Sequence, residues 1–446
     1  MRLRAPLIAL AIALGGACAR AQTTQELKVL LDQAMKTIQE LQDRVDALEK
    51  QKAAPPAAAA SAPGSASGAP VVSAGAKAEE GAKNADKARV EVYGQAMLDA
   101  IYDAKTMDPS WNATLRPSKI PITCPGSPGC GKDGTAIFSV RQSSLGFKAF
   151  IPTKMGELKT DFAFDLFGTD GGTHLHLMRA WGELGSFGAG QTDSLLMDID
   201  AFPNTVDYWG PSGMIFLRNP QLRWTAVSGD GMTLAFSLEA PGSAIDTGKV
   251  SQVDPALAAN PWNRWPDLVA AWRKDGDWGH FKAAAILRQV GYQTSTTPAG
   301  NPSGTRTGYG LNLAGALNTV GKDSISWQLA GGHAIASYMN DGGIDLAPDA
   351  NIKAQTVQSL GWFGYYNHWW ADGWSSALGY SEHRQDNAGG QLANAFRKGS
   401  YGSINLLAYP AKNVTTGAEF VWGRNEQKDG LAATDYRLQW STKVAF

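Results

Sequence analysis

The last eleven residues, Tyr436-Arg-Leu-Gln-Trp-Ser-Thr-Lys-Val-Ala-Phe446, decide the fold. In an extended chain successive side chains point to opposite faces. Tyr436, Leu438, Trp440, Thr442, Val444 and Phe446 then share one face, and Arg437, Gln439, Ser441 and Lys443 share the other. Working back from this strand, the same alternation recurs. Val90, Val92, Gly94, Ala96, Leu98 and Ala100 oppose Glu91, Tyr93, Gln95, Met97 and Asp99; Leu158, Thr160, Phe162, Phe164 and Leu166 oppose Glu157, Lys159, Asp161, Ala163 and Asp165. Soluble sandwiches alternate too. The deciding feature is repetition, because strands are expected near 90, 137, 157, 175, 187, 220, 232, 267, 278, 307, 323, 355, 373, 399, 413 and 434, with short turns and long polar loops taking turns between them. A closed sheet, apolar outside and polar inside, satisfies every backbone group without leaving an edge. The reading is an all-β membrane protein, a sixteen-stranded antiparallel transmembrane barrel over 89–446, preceded by a short coiled-coil helix.

Composition agrees. Of 446 residues 40 are basic and 41 acidic, so the net charge of −1 offers no basic surface for nucleic acid. Charged residues make up 18 %, below the usual ~25 %, and Gly reaches 50 residues. Hydrophobic residues at 43 % exclude a mainly disordered chain. No apolar run reaches the ~18 residues of a membrane helix. The Trp, Phe and Tyr residues fit interfacial belts on a barrel better than sugar-stacking platforms.

Ahead of the barrel lie three short segments. Arg2 and Arg4, the apolar run Pro6–Leu14 and small residues at Ala17, Ala19 and Ala21 form a signal peptide over 1–21, with cleavage expected after Ala19 or Ala21. Gly15 stands where a lipoprotein signal places a Leu-like residue before Cys18, which argues against lipidation. In 22–52 the apolar residues Leu27, Leu31, Ala34, Ile38, Leu41, Val45 and Leu48 keep heptad spacing, the pattern of a coiled coil. So short a helix is marginal alone, so self-association is expected. Residues 53–88, rich in Ala, Pro, Gly and Ser, form a flexible linker that spans roughly 30–35 Å on average. In the exported chain Cys124 and Cys130, within a Pro/Gly-rich segment, favour a disulfide closing a small loop.

Several strings carry a family resemblance. RQSSLGFKAF (141–150), GELKTDFAFDLFG (156–168), RAWGEL (179–184) and GAGQTDSLLMD (188–198) resemble trimeric porins. PNTVDYWGPSG (203–213) and FLRNPQLRWT (216–225) look more particularly like the DcaP-like dicarboxylate porins, which also carry an N-terminal coiled coil. The terminal Phe446 with alternating apolar residues before it resembles the assembly signal of outer-membrane barrels. The resemblance implies a homotrimer in the outer membrane of a Gram-negative bacterium, in contact with its lipid, with the coiled coil in the periplasm. It also implies a third loop, 193–219, folded inward to narrow the pore, and small organic anions, dicarboxylates among them, as solutes. Where porins often carry a basic residue before Leu-Gly-Phe on the second strand, this chain has Ser144. Arg141 is of opposite parity and reaches the lumen only through a bulge or above the membrane.

Motifs for chemistry fail on context. Gly126–Asp133 nearly spells a P-loop, but Asp133 replaces the required Ser or Thr and a strand is expected next. His174 and His176 share a strand face without a Cys or carboxylate cluster, so they read as loop-edge histidines rather than a metal site. No cofactor is expected, and the chain reads as a channel rather than an enzyme; a structural tether, with the barrel anchoring the periplasmic coiled coil, is the alternative. Parity points Lys148, Lys159, Arg179, Arg223, Arg273, Lys282, Arg288, Arg437 and Lys443 inward, against Glu91, Asp99, Asp161, Asp165, Glu183, Asp267, Glu239 and Glu419. Nine against eight is near balance, so placement must set selectivity. Arg179 and Arg223 flank the inward loop, which itself carries Asp198, Asp200, Asp207 and Arg218. These residues, with Arg141, Lys148 and Lys159, are the candidate constriction.

Overall fold

The computed structural model describes residues 88–123, 130–168, 170–250, 259–294, 304–351 and 353–446. The expected signal peptide, coiled coil and all but the last residue of the linker lie outside the described residues. Sixteen wall strands follow in order: β1 Arg89–Asp103, β2 in two pieces Thr135–Ser139 and Ser144–Thr153, β3 Gly156–Phe167, β4 Thr173–Leu184, β5 Phe187–Asp193, β6 Arg218–Gly229, β7 Met232–Glu239 and β8 in two pieces Ala259–Pro261 and Asp267–Gly276. The second half comprises β9 Gly279–Thr294, β10 Gly304–Asn318, β11 Ser324–His333, β12 Gln358–Ala371, β13 Trp374–Asp386, β14 Phe396–Ala411, β15 Val414–Gln427 and β16 Ala432–Ala445. Each pairs antiparallel with the next, and β16 returns to β1, with Gln95 opposite Ala445 and Asp103 opposite Arg437, so the sheet closes. Taking the main piece of β8, every strand starts within three residues of its sequence-based position.

The turns explain the alternation of short and long connections. Asp230 (φ 52°) and Gly231 (φ 67°) both adopt left-handed backbone, the geometry that lets a two-residue turn follow the twist of its strands. A Cβ at Gly231 would meet the Asp275 carbonyl at 2.6 Å. On the other rim, long connections fold over and into the barrel. Short turns mark the periplasmic end and long loops the outer end of such barrels.

The two faces differ as parity demands. Leu438 and Trp440 are both 55 % exposed on the outer wall, whereas their neighbours Arg437 and Gln439 are fully buried within the lumen. The inward segment packs against part of that lumen's wall. Small wall residues Ala235, Val269, Ala271, Ala284 and Ala330 form a floor on which Leu195, Leu196, Met197 and Ile215 pack. Burying such a side chain contributes about 1.5–3 kcal/mol, so the apolar part of the inward segment is held as firmly as a soluble core.

Candidate pore constriction

The segment between β5 and β6, residues 194–217, is drawn into the barrel. Its neck is pinned by the Ser194 N–H donating to the Leu217 carbonyl at 2.9 Å. Going in, it runs along β7–β10. Leu195 N–H donates to Glu239 Oε1 (2.9 Å), Asn312 Nδ2 to the Leu196 carbonyl (2.8 Å) and Lys282 Nζ to the Met197 carbonyl. Asp198 meets His280 Nε2 at 2.9 Å and Arg273 Nη1 at 3.3 Å, while Asp200 meets the same guanidinium at 2.5 Å. Burial pushes the Asp198 carboxyl up, yet its bond to His280 and the nearby cations outweigh burial and hold it below the usual carboxylate range.

The segment then crosses to the opposite wall. Asn405 Nδ2 donates to the Asn204 carbonyl at 2.7 Å. Val206 and Asp207 N–H groups both donate to the Glu419 carboxylate, at 3.2 and 3.0 Å. The Val206 carbonyl accepts from Gln142 and Gln439, each at 3.0 Å. The Asp207 carboxylate accepts from Thr114 Oγ1 (2.9 Å) and Leu115 N–H (3.0 Å) and faces Arg437 Nη1 at 3.5 Å. On the way back Gln328 binds both the Ile215 N–H (3.0 Å) and the Gly213 carbonyl (3.1 Å). The segment is thus a strap tied by buried polar groups to both sides of the lumen, and each of those groups is expensive to leave unpaired.

Each candidate arginine has a definite place. Arg179 is 6 % exposed and lies between Asp193 (2.9 Å) and Asp161 (4.0 Å), while Arg218 Nε takes the other Asp193 oxygen at 2.8 Å. Arg223 reaches no carboxylate within ion-pair distance among the described residues. It donates to the Asp193 carbonyl (2.7 Å) and to Gln221 Oε1 (2.9 Å) and lies over the Trp181 ring at 5.4 Å. With Arg223 at the neck, Arg273 on Asp198 and Asp200, and Lys282 on the Met197 carbonyl, cations from β6, β8 and β9 all meet the strap or its neck. Lys148 lies 4.8 Å over the Tyr93 ring, and Lys159 stands 4.0 Å from Glu183 with about half of its side chain exposed. Among the described residues no hydrogen bond or ion pair joins Lys148 or Lys159 to the strap.

Arg141 turns inward because β2 is interrupted after Ser139. Through this break the residue of unsuitable parity enters the barrel, covering the Phe167 ring at 4.0 Å and donating to the Gly168 carbonyl. Phe167 stacks on Tyr208 of the strap at 3.8 Å, and Tyr208 donates to Asp165 at 2.5 Å. Burial and Asp165 together push the Tyr208 phenol well above its ordinary range. Nearer the mouth, Arg116 is held between Trp111 and Trp209, 4.0 and 4.2 Å from their rings, and pairs with Asp341 at 3.0 Å.

His176 meets Asp165 at 2.9 Å and His174 meets Asp170 at 3.0 Å; among the described residues no group of three metal-ligating side chains forms. Cys130 is disulfide-bonded, and Cys124, its expected partner, lies outside the described residues. The described residues just past the P-loop-like stretch lead into the strand Thr135–Ser139, not a helix.

A closed sixteen-stranded wall with an inward strap after its fifth strand is a channel architecture, and the family described as DcaP outer membrane protein matches residues 40–276. The chain belongs to this family. No curated protein sequence matches it. Among solved structures, the outer membrane channel DcaP of Acinetobacter baumannii is similar, with a TM-score of 0.68 and 19 % identity, covering 80 % of this chain and 97 % of that one. The anion-selective porin from Comamonas acidovorans shares the fold at a TM-score of 0.54 and 11 % identity, covering 81 % of this chain and 100 % of that one. Salmonella typhi OmpF does so at 0.50 and 10 %, covering 81 % and 99 %. This DcaP-family chain is therefore an outer-membrane protein with a channel fold.

Sequence reading missed the strap's anchors. Asn312, Gln328, Asn405 and Gln439 are isolated amides at lumen-facing positions, each 4 % exposed or less. An amide on a wall otherwise lined by Ala is the signal that could have marked them. Their partners could not be read, because the loop that meets them lies far away in sequence.

Proposed function

We propose that this chain is a passive diffusion channel for small hydrophilic solutes with a preference for organic anions, dicarboxylates among them. The observation that carries the reading is a sorting of lumen charge. Five of the eight inward acids (Asp99, Asp165, Asp267, Glu239 and Glu419) are 2 % exposed or less, bound to the wall or the strap. Only three of the nine inward bases, Arg179, Arg288 and Arg437, are buried. Six accessible bases therefore face three accessible acids, Glu91, Asp161 and Glu183. The nominal balance of the sequence becomes a cationic residue along the free wall, with Arg223 at the strap. The buried acids brace wall and strap, Arg273 and Lys282 are tied to the strap as well, and Arg223 is the cation beside it that has no carboxylate partner among the described residues.

The trimer implied by the family resemblance and a periplasmic position for 22–52 belong to the same proposal. Liposome swelling with neutral sugars, monocarboxylates and dicarboxylates tests it. Anions of matched size should enter faster than sugars, dicarboxylates most of all, and raised salt should blunt the difference. Equal rates for all classes would defeat the anion preference, and no swelling or conductance at all would favour a structural tether.

A further inference from the structure

We propose, on the channel reading of this chain and independently of its anion preference, that Arg116 is a size-determining residue. It latches two further segments, 109–120 and 334–345, onto the strap, and the latched set decides how large a solute enters. Segment 109–120 follows β1 and segment 334–345 follows β11. Both belong to long connections, which mark the outer end of such barrels, so a solute from outside meets them before it reaches the strap.

The segment after β11 pairs with the return limb of the strap. Ile215 and Met339 form an antiparallel bridge, the Phe216 N–H donates to the Tyr338 carbonyl at 2.9 Å, and the Asn340 N–H to the Met214 carbonyl at 2.9 Å. Its root is held by the wall. Tyr338, 1 % exposed, donates to Asp267 of β8 at 3.0 Å, and Arg288 of β9 donates to the Ala334 carbonyl at 3.0 Å. Gly342 (φ 67°) and Gly343 (φ 76°) then turn the chain through left-handed backbone, which glycine adopts without steric cost. A Cβ at Gly342 would strike the Phe396 ring at 2.5 Å, and one at Gly343 the His383 ring at 2.6 Å.

Asp341 immediately precedes that turn. Its carboxylate accepts from Arg116 Nε at 3.0 Å, from the Ser118 N–H at 2.9 Å and from Ser118 Oγ at 2.5 Å. The Arg116 guanidinium also lies 4.0 Å from the ring of Trp111, in its own segment, and 4.2 Å from that of Trp209, in the strap. One side chain thus touches all three segments. The deeper ties of 109–120 do not depend on it, since Thr114 Oγ1 donates to Asp207 at 2.9 Å and Asn425 of β15 donates to the Ile120 carbonyl at 3.0 Å. The Arg116 side chain is 13 % exposed, whereas that of Asp341 is fully buried. Removing the guanidinium therefore frees the facing parts of the segments and leaves their roots seated.

Liposome swelling with neutral sugars, from monosaccharide to tetrasaccharide, provides the test on the full chain. The variants are Arg116→Gln, Asp341→Asn and the two combined, each checked for folding by its heat-dependent gel mobility. A hydrogen bond to a charged group is worth about tenfold or more in population, so either single variant should raise tetrasaccharide entry relative to monosaccharide entry by about that factor. The double variant should add little, because both changes open the same latch. Should Arg116→Gln fail to fold, Asp341→Asn carries the test alone. An unchanged ratio in the folded single variants would overturn the proposal, as would a double variant whose effect is the sum of the two. Closure of wild type and variants to every sugar would overturn it together with the channel reading, whereas the sugars, being uncharged, give the same answer whether or not anions are preferred.

Discussion

Arg179 Nη2 donates to Asp193 Oδ2 at 2.9 Å while Arg218 Nε holds the other oxygen at 2.8 Å, so one carboxylate at the end of β5 gathers the wall and the start of β6 around the neck of the strap. Arg179 is thereby spent on structure. Arg223, two strands on, donates to the Asp193 carbonyl and Gln221, lies over the Trp181 ring and meets no carboxylate among the described residues, so it keeps its charge for the lumen.

This division predicts different phenotypes for two arginines of the same parity. Removing one partner of a buried pair costs about 3–5 kcal/mol, so Arg179→Gln should lower the heat stability of the folded barrel while leaving ion selectivity nearly unchanged. Arg223→Glu should leave stability nearly unchanged and move the reversal potential toward cations. A unit charge ~6 Å from a carboxylate contributes about 0.7 kcal/mol at bulk-water dielectric and about 3 kcal/mol at an effective dielectric of 20. Reversal doubles the swing, giving about a tenfold or larger change in local anion occupancy. Bilayer measurements in a salt gradient read this directly, and an unchanged reversal potential in Arg223→Glu would assign Arg223 to the wall as well.

Glu419 holds the crossing point of the strap. Its carboxylate accepts the Val206 and Asp207 N–H groups and Asn405 Nδ2 (2.9 Å). Glu419→Ala strands three buried donors, at about 1–3 kcal/mol each. The strap should loosen at 203–208, with noisier single-channel currents and faster proteolysis there. Quiet currents and wild-type resistance to protease would show that the anchors at Asn312 and Gln328 suffice.

The fold was legible because the wall strands keep a period of two over most of their length and commit each face to lipid or lumen, so parity alone sorted Leu438 from Arg437. Parity fails where the ladder breaks. Arg141 enters the lumen through the interruption of β2, and the register shift between Leu177 and Arg179 changes which residues of β4 face inward. The strap's tertiary partners were also out of reach, since Asp207 and Glu419 are 212 residues apart and nothing local links them. The consequence for function is large. Nine bases against eight acids looked neutral, but contacts engage members of both sets, and Arg223 is the one beside the strap that meets no carboxylate among the described residues.

Cys130 is disulfide-bonded, and Cys124 is the partner expected from the sequence. With Cys18 removed by the expected cleavage of the signal peptide, unreduced, denatured protein should resist alkylation and gain two labels after reduction. Two labels without reductant would refute the pairing.

Deleting 22–88 should leave an assembly that still resists SDS, with a somewhat lower melting temperature. The heptad pattern read from the sequence is short and the Ala/Pro/Gly/Ser-rich stretch after it is expected to be a flexible linker, so the barrel wall is expected to carry the main subunit contact. A truncated protein that runs only as monomer before heating would transfer that role to the coiled coil.

The turn between β10 and β11 supplies a pH signature. Asp323 accepts hydrogen bonds from Tyr366 Oη (2.5 Å), the Trp369 N–H (2.8 Å) and His368 Nδ1 (2.7 Å). The Tyr366 bond first, then the Trp369 and His368 bonds, hold its carboxyl down at about 2, against an ordinary 3.8. A carboxyl held low in the folded state contributes stability that is fully present above its unfolded value and is lost as pH falls through its folded one. The window is therefore pH 3.8 down to about 2. Asp323→Asn should melt below the wild type at pH 6, the gap should narrow below about pH 4, and the two should converge near pH 1.5. The comparison is made with the gel shift between folded and heat-unfolded barrel, each sample equilibrated at its own pH. A gap as wide at pH 1.5 as at pH 6 would mean that the turn depends on the shape of the side chain and not on its charge.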